Sequence, residues 1–173
     1  LLEALAGFGA PVAITATMIL ALGVKPLKAA ITVLLANTAP VAFGAVAVPI
    51  TTAGDVGGKD AHVIATIVGH QAPFLAMLVP LILLVILDGM KGLKDAWLPA
   101  LIIGVSFAIA QWVTAATPAF NLTDVVACIV SMGVAVVFLQ FWKPRGVAGV
   151  RERYGLPAQA EEKEALPAVR VWM

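Results

Sequence analysis

An all-α, polytopic membrane protein is the fold class that this sequence predicts, and three observations predict it. Of its 173 residues, 61% are hydrophobic and 12% charged, against about 45–50% and about 25% in a soluble domain. The apolar residues come in runs close to the roughly 20 that a helix needs to cross a bilayer. Short turns rich in Gly, Asp and Lys separate these runs. The same balance excludes other classes. A net charge of +1 gives no basic patch for nucleic acid. The lone Cys128 forms no internal disulfide and is expected to be a buried small hydrophobe. There is no Cys/His metal spacing and no nucleophile–base pair, so neither a cofactor nor an enzyme is expected.

The first segment, 1–24, carries Glu3, then Gly7-Phe8-Gly9-Ala10-Pro11, then an apolar arm to Leu22. Two glycines and a proline so close together mark a turn. The arm after Gly9 is too short to cross a core about 30 Å thick. The segment therefore reads as a re-entrant hairpin with Gly7-Phe8-Gly9 at its tip. A spanning helix kinked at Pro11 is the alternative.

The second segment, 26–50, is apolar except at its centre, where Asn37-Thr38-Ala39-Pro40 interrupts it. Pro40 has no N–H and clashes with the carbonyl four residues back. Asn37 and Thr38 can offer side chains to the backbone in place of the helix ladder. The sequence predicts a helix unwound at mid-depth, as in transporter substrate sites. The alternative is a proline kink with both polar side chains bonded to a neighbouring helix.

After a Gly- and Asp-rich loop at 51–61, the third segment spans 62–87, with an interruption expected at Gly69-His70-Gln71-Ala72-Pro73 and another at Pro80. The fourth spans 97–116 and the fifth 124–142. Trp97, Trp112 and Trp142 fall near segment ends, as interfacial aromatics do. Residues 143–170 are polar and read as a solvated loop, and 171–173 as the start of another helix. With no initial Met and an apolar beginning, the chain reads as an internal piece of a longer protein.

Basic residues set an expected orientation. Lys25 and Lys28, Lys91 and Lys94, and Lys143, Arg145, Arg151 and Arg153 occupy alternate connections, while the others hold Lys59 alone. The positive-inside rule places the first group in the cytoplasm.

Glu3 is the candidate proton carrier. A carboxylate at membrane depth is costly when ionised and marks a function by default; a Glu pairing two helices is the alternative. His70, with Gln71 beside it, could bind an anion or pass protons, or simply be hydrogen-bonded in a bundle. Gln111 is expected to be interhelical glue, and Asp124, after Asn121 and Thr123, an N-cap.

The run from Glu3 to Ile14, with Asn37–Ala45, Gly69–Phe74 and Ser106–Gln111 following in order, resembles the bacterial L-lactate permease family. The resemblance covers Glu3 to about Trp142. It implies an inner-membrane proton symporter for lactate and related 2-hydroxy monocarboxylates such as glycolate. It also implies a fold of two inverted repeats, each with a re-entrant hairpin facing an unwound helix that carries an Asn-Thr motif. These residues would form most of one repeat, and the remainder of the chain the second. Gly7, Phe8, Gly9, Asn37, Thr38, His70 and Gln71 are then the substrate-binding candidates. Glu3 would carry the proton, and the partners are a small carboxylate, protons and the lipid bilayer. A sodium-coupled anion transporter of the same superfamily, or a non-transporting membrane anchor subunit, are the alternatives. Three mid-segment breaks would serve no purpose in an anchor.

Overall fold

The computed structural model describes residues 1–7 and 9–142. Phe8, the polar loop at 143–170 and the apolar start at 171–173 lie outside the described residues. The described residues contain helices and no strand. They form α1 (Leu2–Ala6), α2 (Ala10–Ala21), α3 (Pro26–Ala36), α4 (Gly44–Gly57), α5 (Ala61–Ala115) and α6 (Thr123–Phe141), with a 3-10 turn at Phe120–Leu122 before α6.

Two helical stretches, Ala61–Ala115 and Phe120–Phe141, are long and apolar enough to cross a membrane. They keep few residues inside the protein and turn large apolar side chains outward, among them Phe74, Leu75, Ile109, Val137 and Phe141. Water penalises such a surface, whereas lipid tails do not.

Helix α5 is 55 residues long, which at about 1.5 Å per residue is far more than one bilayer crossing. It folds back on itself. Backbone departures at Gly89 (φ 66°, ψ −158°) and Ala96 (φ −134°, ψ 18°) turn the chain, so that 61–88 and 97–115 form two antiparallel arms. Small residues set their approach: Gly69 lies against Ala115, and a Cβ on Gly104 would come within 2.5 Å of the Met77 carbonyl oxygen. The polar stretch 88–95, expected to be a loop between two helices, is helical apart from Gly89.

The break expected at Gly69–Pro73 does not occur. Helix α5 continues through Pro73 and Pro80, with its non-helical residues only at Gly89 and Ala96. A proline removes a single ladder bond. Opening more backbone in an apolar surround would leave further N–H and C=O groups without partners. The loop expected at 51–61 is likewise mostly helix, because α4 runs on to Gly57 and ends at the left-handed Gly58.

Two ends of the molecule follow. At one, the Lys28 ammonium donates to the Leu87 carbonyl oxygen at 3.2 Å, so the turn before α3 sits beside the turn between the α5 arms. At the other, the His62 ring Nε2 donates to the Ala116 carbonyl oxygen at 3.3 Å, and the Asp60 carboxylate caps α5 by accepting from the His62 N–H at 2.8 Å. Lys25, Lys28, Lys91 and Lys94 belong to the first end and Lys59 to the second. Phe43, Ala47, Ile50, Ala65 and Ala115 form a buried core that pins the start of α4 to both arms of α5. Cys128 is half-buried rather than buried.

Candidate functional site

Helix α3 stops at Ala36, and no regular helix forms again until Gly44. The local cause is visible. The Thr38 hydroxyl donates to the Leu35 carbonyl oxygen at 2.6 Å and the Thr38 N–H to the same oxygen at 3.0 Å, which tightens the helix end. Pro40 then has no N–H to offer, and its own carbonyl takes the Phe43 N–H at 3.2 Å. Helix α4 begins with a further irregularity. Ala45, Val46 and Ala47 all have positive φ, between 48° and 59°. Each non-glycine residue in that region costs about 1–2 kcal/mol, and strain of this kind collects at functional sites. The burial of Phe43 and Ala47 holds it in place.

The segment before α2 is bent at Gly7 and Gly9, with φ of 68° and 101°. Only glycine adopts the Gly7 combination (φ 68°, ψ −159°) readily. Gly7 is pressed against the strained start of α4, where an added Cβ would lie 2.9 Å from the Ala45 Cβ. Helices α2 and α3 have 12 and 11 residues, about half a bilayer each at roughly 1.5 Å per residue. They share the Lys25 turn, so the Gly9 bend and the Asn37 break lie at about the same depth.

Two open cavities meet at that depth. One, of about 350 Å³, is lined by Glu3, Pro11, Thr15, Ala36, Asn37 and Pro40 among others. The other, of about 480 Å³, is lined by Gly9, Ala16, Leu34, Asn37, Thr38 and Val41 among others. Asn37 borders both. The positive N-terminus of α2 opens here, where backbone N–H groups favour an anion.

Glu3 is buried, with 6% of its surface exposed. It packs beneath Gly44, where an added Cβ would sit 3.2 Å from its Oε1. Its Oε2 is buried and has no hydrogen-bond partner. The carboxyl therefore stands at the seam between the hairpin and the re-formed helix, with nothing holding its second oxygen.

The structure thus brings together Glu3, Gly7, Gly9, Asn37 and Thr38. His70 and Gln71 stand apart on the exposed outer side of α5. The His70 Nδ1 donates to the Thr66 carbonyl oxygen at 2.6 Å, and its ring meets Trp112 edge-on at 6.0 Å. His70 and Trp112, but not Gln71, line a different, almost wholly apolar cleft of about 310 Å³ between the α5 arms.

Gln111 makes the interhelical bond expected of it, but its partner, Asp124, was not the one the sequence suggested. Asp124 was expected to cap α6 in reach of water. It lies instead inside the first turn, is 1% exposed, and makes no cap bond. Its Oδ1 accepts from the Gln111 Nε2 at 3.0 Å, and Gln111 is fully buried. The cause is the close packing of α6 along α5, with α1 against α6 as well. The available signal was Gln111 itself, an amide in an apolar run, which needs a buried partner.

Apolar helices turned outward, with broken helices and a buried carboxyl inside, define a membrane protein of the all-helical class. The chain belongs to the L-lactate permease family, whose model matches residues 1–171. It is 49% identical over 145 residues to the glycolate permease GlcA of Escherichia coli K12, covering 84% of this chain and 26% of that one. It is 43% identical over 172 residues to the L-lactate permease of Bacillus subtilis 168, covering 98% and 31%. It is 46% identical over 143 residues to the L-lactate permease of Escherichia coli K12, covering 83% and 26%. The chain thus spans less than a third of the length of these relatives. No solved structure matches it.

Proposed function

We propose that this chain is part of a secondary active transporter that moves L-lactate, and similar 2-hydroxy monocarboxylates such as glycolate, with protons across the cell inner membrane. The observation that carries the reading is the mid-depth cavity bordered by both Glu3 and Asn37. The names of the relatives support the substrate class. The substrate carboxylate binds at the N-terminus of α2, between the Gly7-Phe8-Gly9 bend and the Asn37-Thr38 break. Asn37 donates from its amide, while Thr38, whose hydroxyl proton goes to the Leu35 carbonyl oxygen, shapes the break beside it. The remainder of the longer protein supplies the second repeat and closes the open side of the cavities. The Lys28–Leu87 end, with its excess of lysines, faces the cytoplasm.

Glu3 carries the coupled proton. Its protonated form does not repel the nearby anion, so proton and lactate each strengthen the binding of the other. The pair then crosses without net charge. A sodium-coupled transporter is the rival chemistry.

The test is uptake of labelled lactate by vesicles holding the full-length protein, with and without a pH gradient and with and without Na⁺. The wild type should accumulate lactate from the pH gradient alone. Glu3→Gln, fixed in the neutral form, should exchange lactate but fail to accumulate it. His70→Gln should accumulate it normally. Accumulation by Glu3→Gln, together with its loss in His70→Gln, would move the proton to His70. A requirement for Na⁺ would overturn proton coupling.

A further inference from the structure

The Gln111–Asp124 pair lies outside the cavities just described, and its geometry is incomplete in one direction. The Gln111 amide nitrogen satisfies Asp124 Oδ1. Asp124 Oδ2 and Gln111 Oε1 are both buried and have no partner. Two acceptors are thus left facing no donor in a dry place, and an orphaned buried acceptor costs about 1–3 kcal/mol. One added proton on Oδ2 turns an acceptor into a donor and removes the buried charge.

Among the described residues no side-chain cation bonds Asp124, though the Leu1 ammonium before α1 is near enough for its charge to act on it. Helix α1 brings Glu3, close enough for its charge to act on Asp124. The arm of α5 brings Gln111. The other ionisable groups at this end are turned elsewhere: Asp55 and Lys59 are exposed, the Asp60 carboxylate caps α5, and the His62 ring is bonded to Ala116 and rests on Phe120. Glu3 Oε2, like Asp124 Oδ2, is buried and has no hydrogen-bond partner.

Depth gives the pair a direction. Asp124 is in the first turn of α6, at the His62–Ala116 end. Glu3 lies deeper, beneath Gly44 at the broken helix. Helix α1 packs against both α4 and α6.

We propose that Asp124, held by Gln111, is a second proton-carrying carboxyl, standing between the His62–Ala116 face of the membrane and Glu3. Asp124 takes a proton from that face on Oδ2 and becomes neutral. It gives the proton up when Glu3 is empty and ionised, and is then free to accept another. No bond other than O–H forms or breaks. Gln111 is a positioning residue, because its amide fixes Oδ1 and leaves Oδ2 for the proton. This inference rests on the transport reading above.

The experiment uses the full-length protein in vesicles and measures the pH dependence of lactate uptake. It is paired with difference infrared spectra of the carboxylic-acid C=O stretch upon lactate addition. Asp124→Asn keeps the shape and the Gln111 contact but is permanently neutral. It should keep exchange, lose accumulation by about tenfold or more, in the range of site-to-site couplings, and lose one C=O band. Gln111→Leu should shift the pH midpoint while the band remains. Unchanged accumulation and an unchanged spectrum in Asp124→Asn would overturn the proposal and leave the pair as helix glue. Should Asp124→Asn not assemble, the wild-type spectrum in H₂O and D₂O decides: a lactate-sensitive C=O band retained in Glu3→Gln supports the proposal, and none overturns it. Failure at Asp124 with loss of accumulation in Glu3→Gln sinks this inference alone. Normal accumulation in Glu3→Gln sinks the coupling role of Glu3 instead.

Discussion

Residues 1–57 and residues 61–141 have similar apolar composition and both contain prolines, yet they fold by opposite rules. In the first region the helices are short, break at Gly7–Gly9 and again between Ala36 and Gly44, and border cavities. In the second, helix continues through Pro73, Pro80 and Pro99. A proline alone therefore does not break a helix in this molecule. Pro40 sits beside Thr38, which redirects its hydroxyl and N–H to the Leu35 carbonyl, and the buried Phe43 anchors the far side of the break. Pro73 has Gly69 one turn before it, and close packing of Gly69 on Ala115 holds the arm straight. Polar groups separate in the same way. Glu3 and Asn37 border open space, whereas Gln111 and Asp124 are sealed between helices.

Three substitutions probe that contrast. Gly104→Ala should have the largest effect, because its Cβ would enter the Met77 carbonyl at 2.5 Å. Overpacking against backbone costs about 3 kcal/mol, read as a lower thermal midpoint of the full-length protein in detergent. An unchanged midpoint would mean that the α5 arms are not held by close approach.

Gly7→Ala follows. It forces a side chain into the glycine-only backbone region, with its Cβ 2.9 Å from Ala45. About 2 kcal/mol of strain is expected. Lactate binding should weaken along with stability, because Gly9, at the other side of the bend, lines one of the cavities. Lost stability with intact binding affinity would detach the Gly7 bend from the site.

Asn37→Ala has the smallest expected effect and the most local one. It removes a side chain that borders both cavities. The loss of a bond to a charged ligand costs about 1.5 kcal/mol, or roughly tenfold in lactate affinity. The thermal midpoint should hold, since the side chain is only half-buried. Unchanged affinity would place the binding site elsewhere.

The sequence by itself determined the helical class, the apolar runs, the turn at Gly7–Gly9 and the interruption at Asn37–Pro40. These follow from local chemistry: φ freedom in glycine, the missing N–H of proline, and side chains that compete for backbone carbonyls. It also marked Glu3 as an anomalous charge. It could not show that the Gly69–Pro73 stretch stays helical, because that depends on a packing partner 46 residues away in Ala115. Nor could it show that α4 runs on through the Gly- and Asp-rich stretch to Gly57. Asp124 was the largest surprise. Read along the chain it is a cap within reach of water. In the folded protein it is sealed against Gln111 on another helix. Only tertiary structure decides burial, because burial depends on which distant surfaces close over a residue, and no local pattern encodes that.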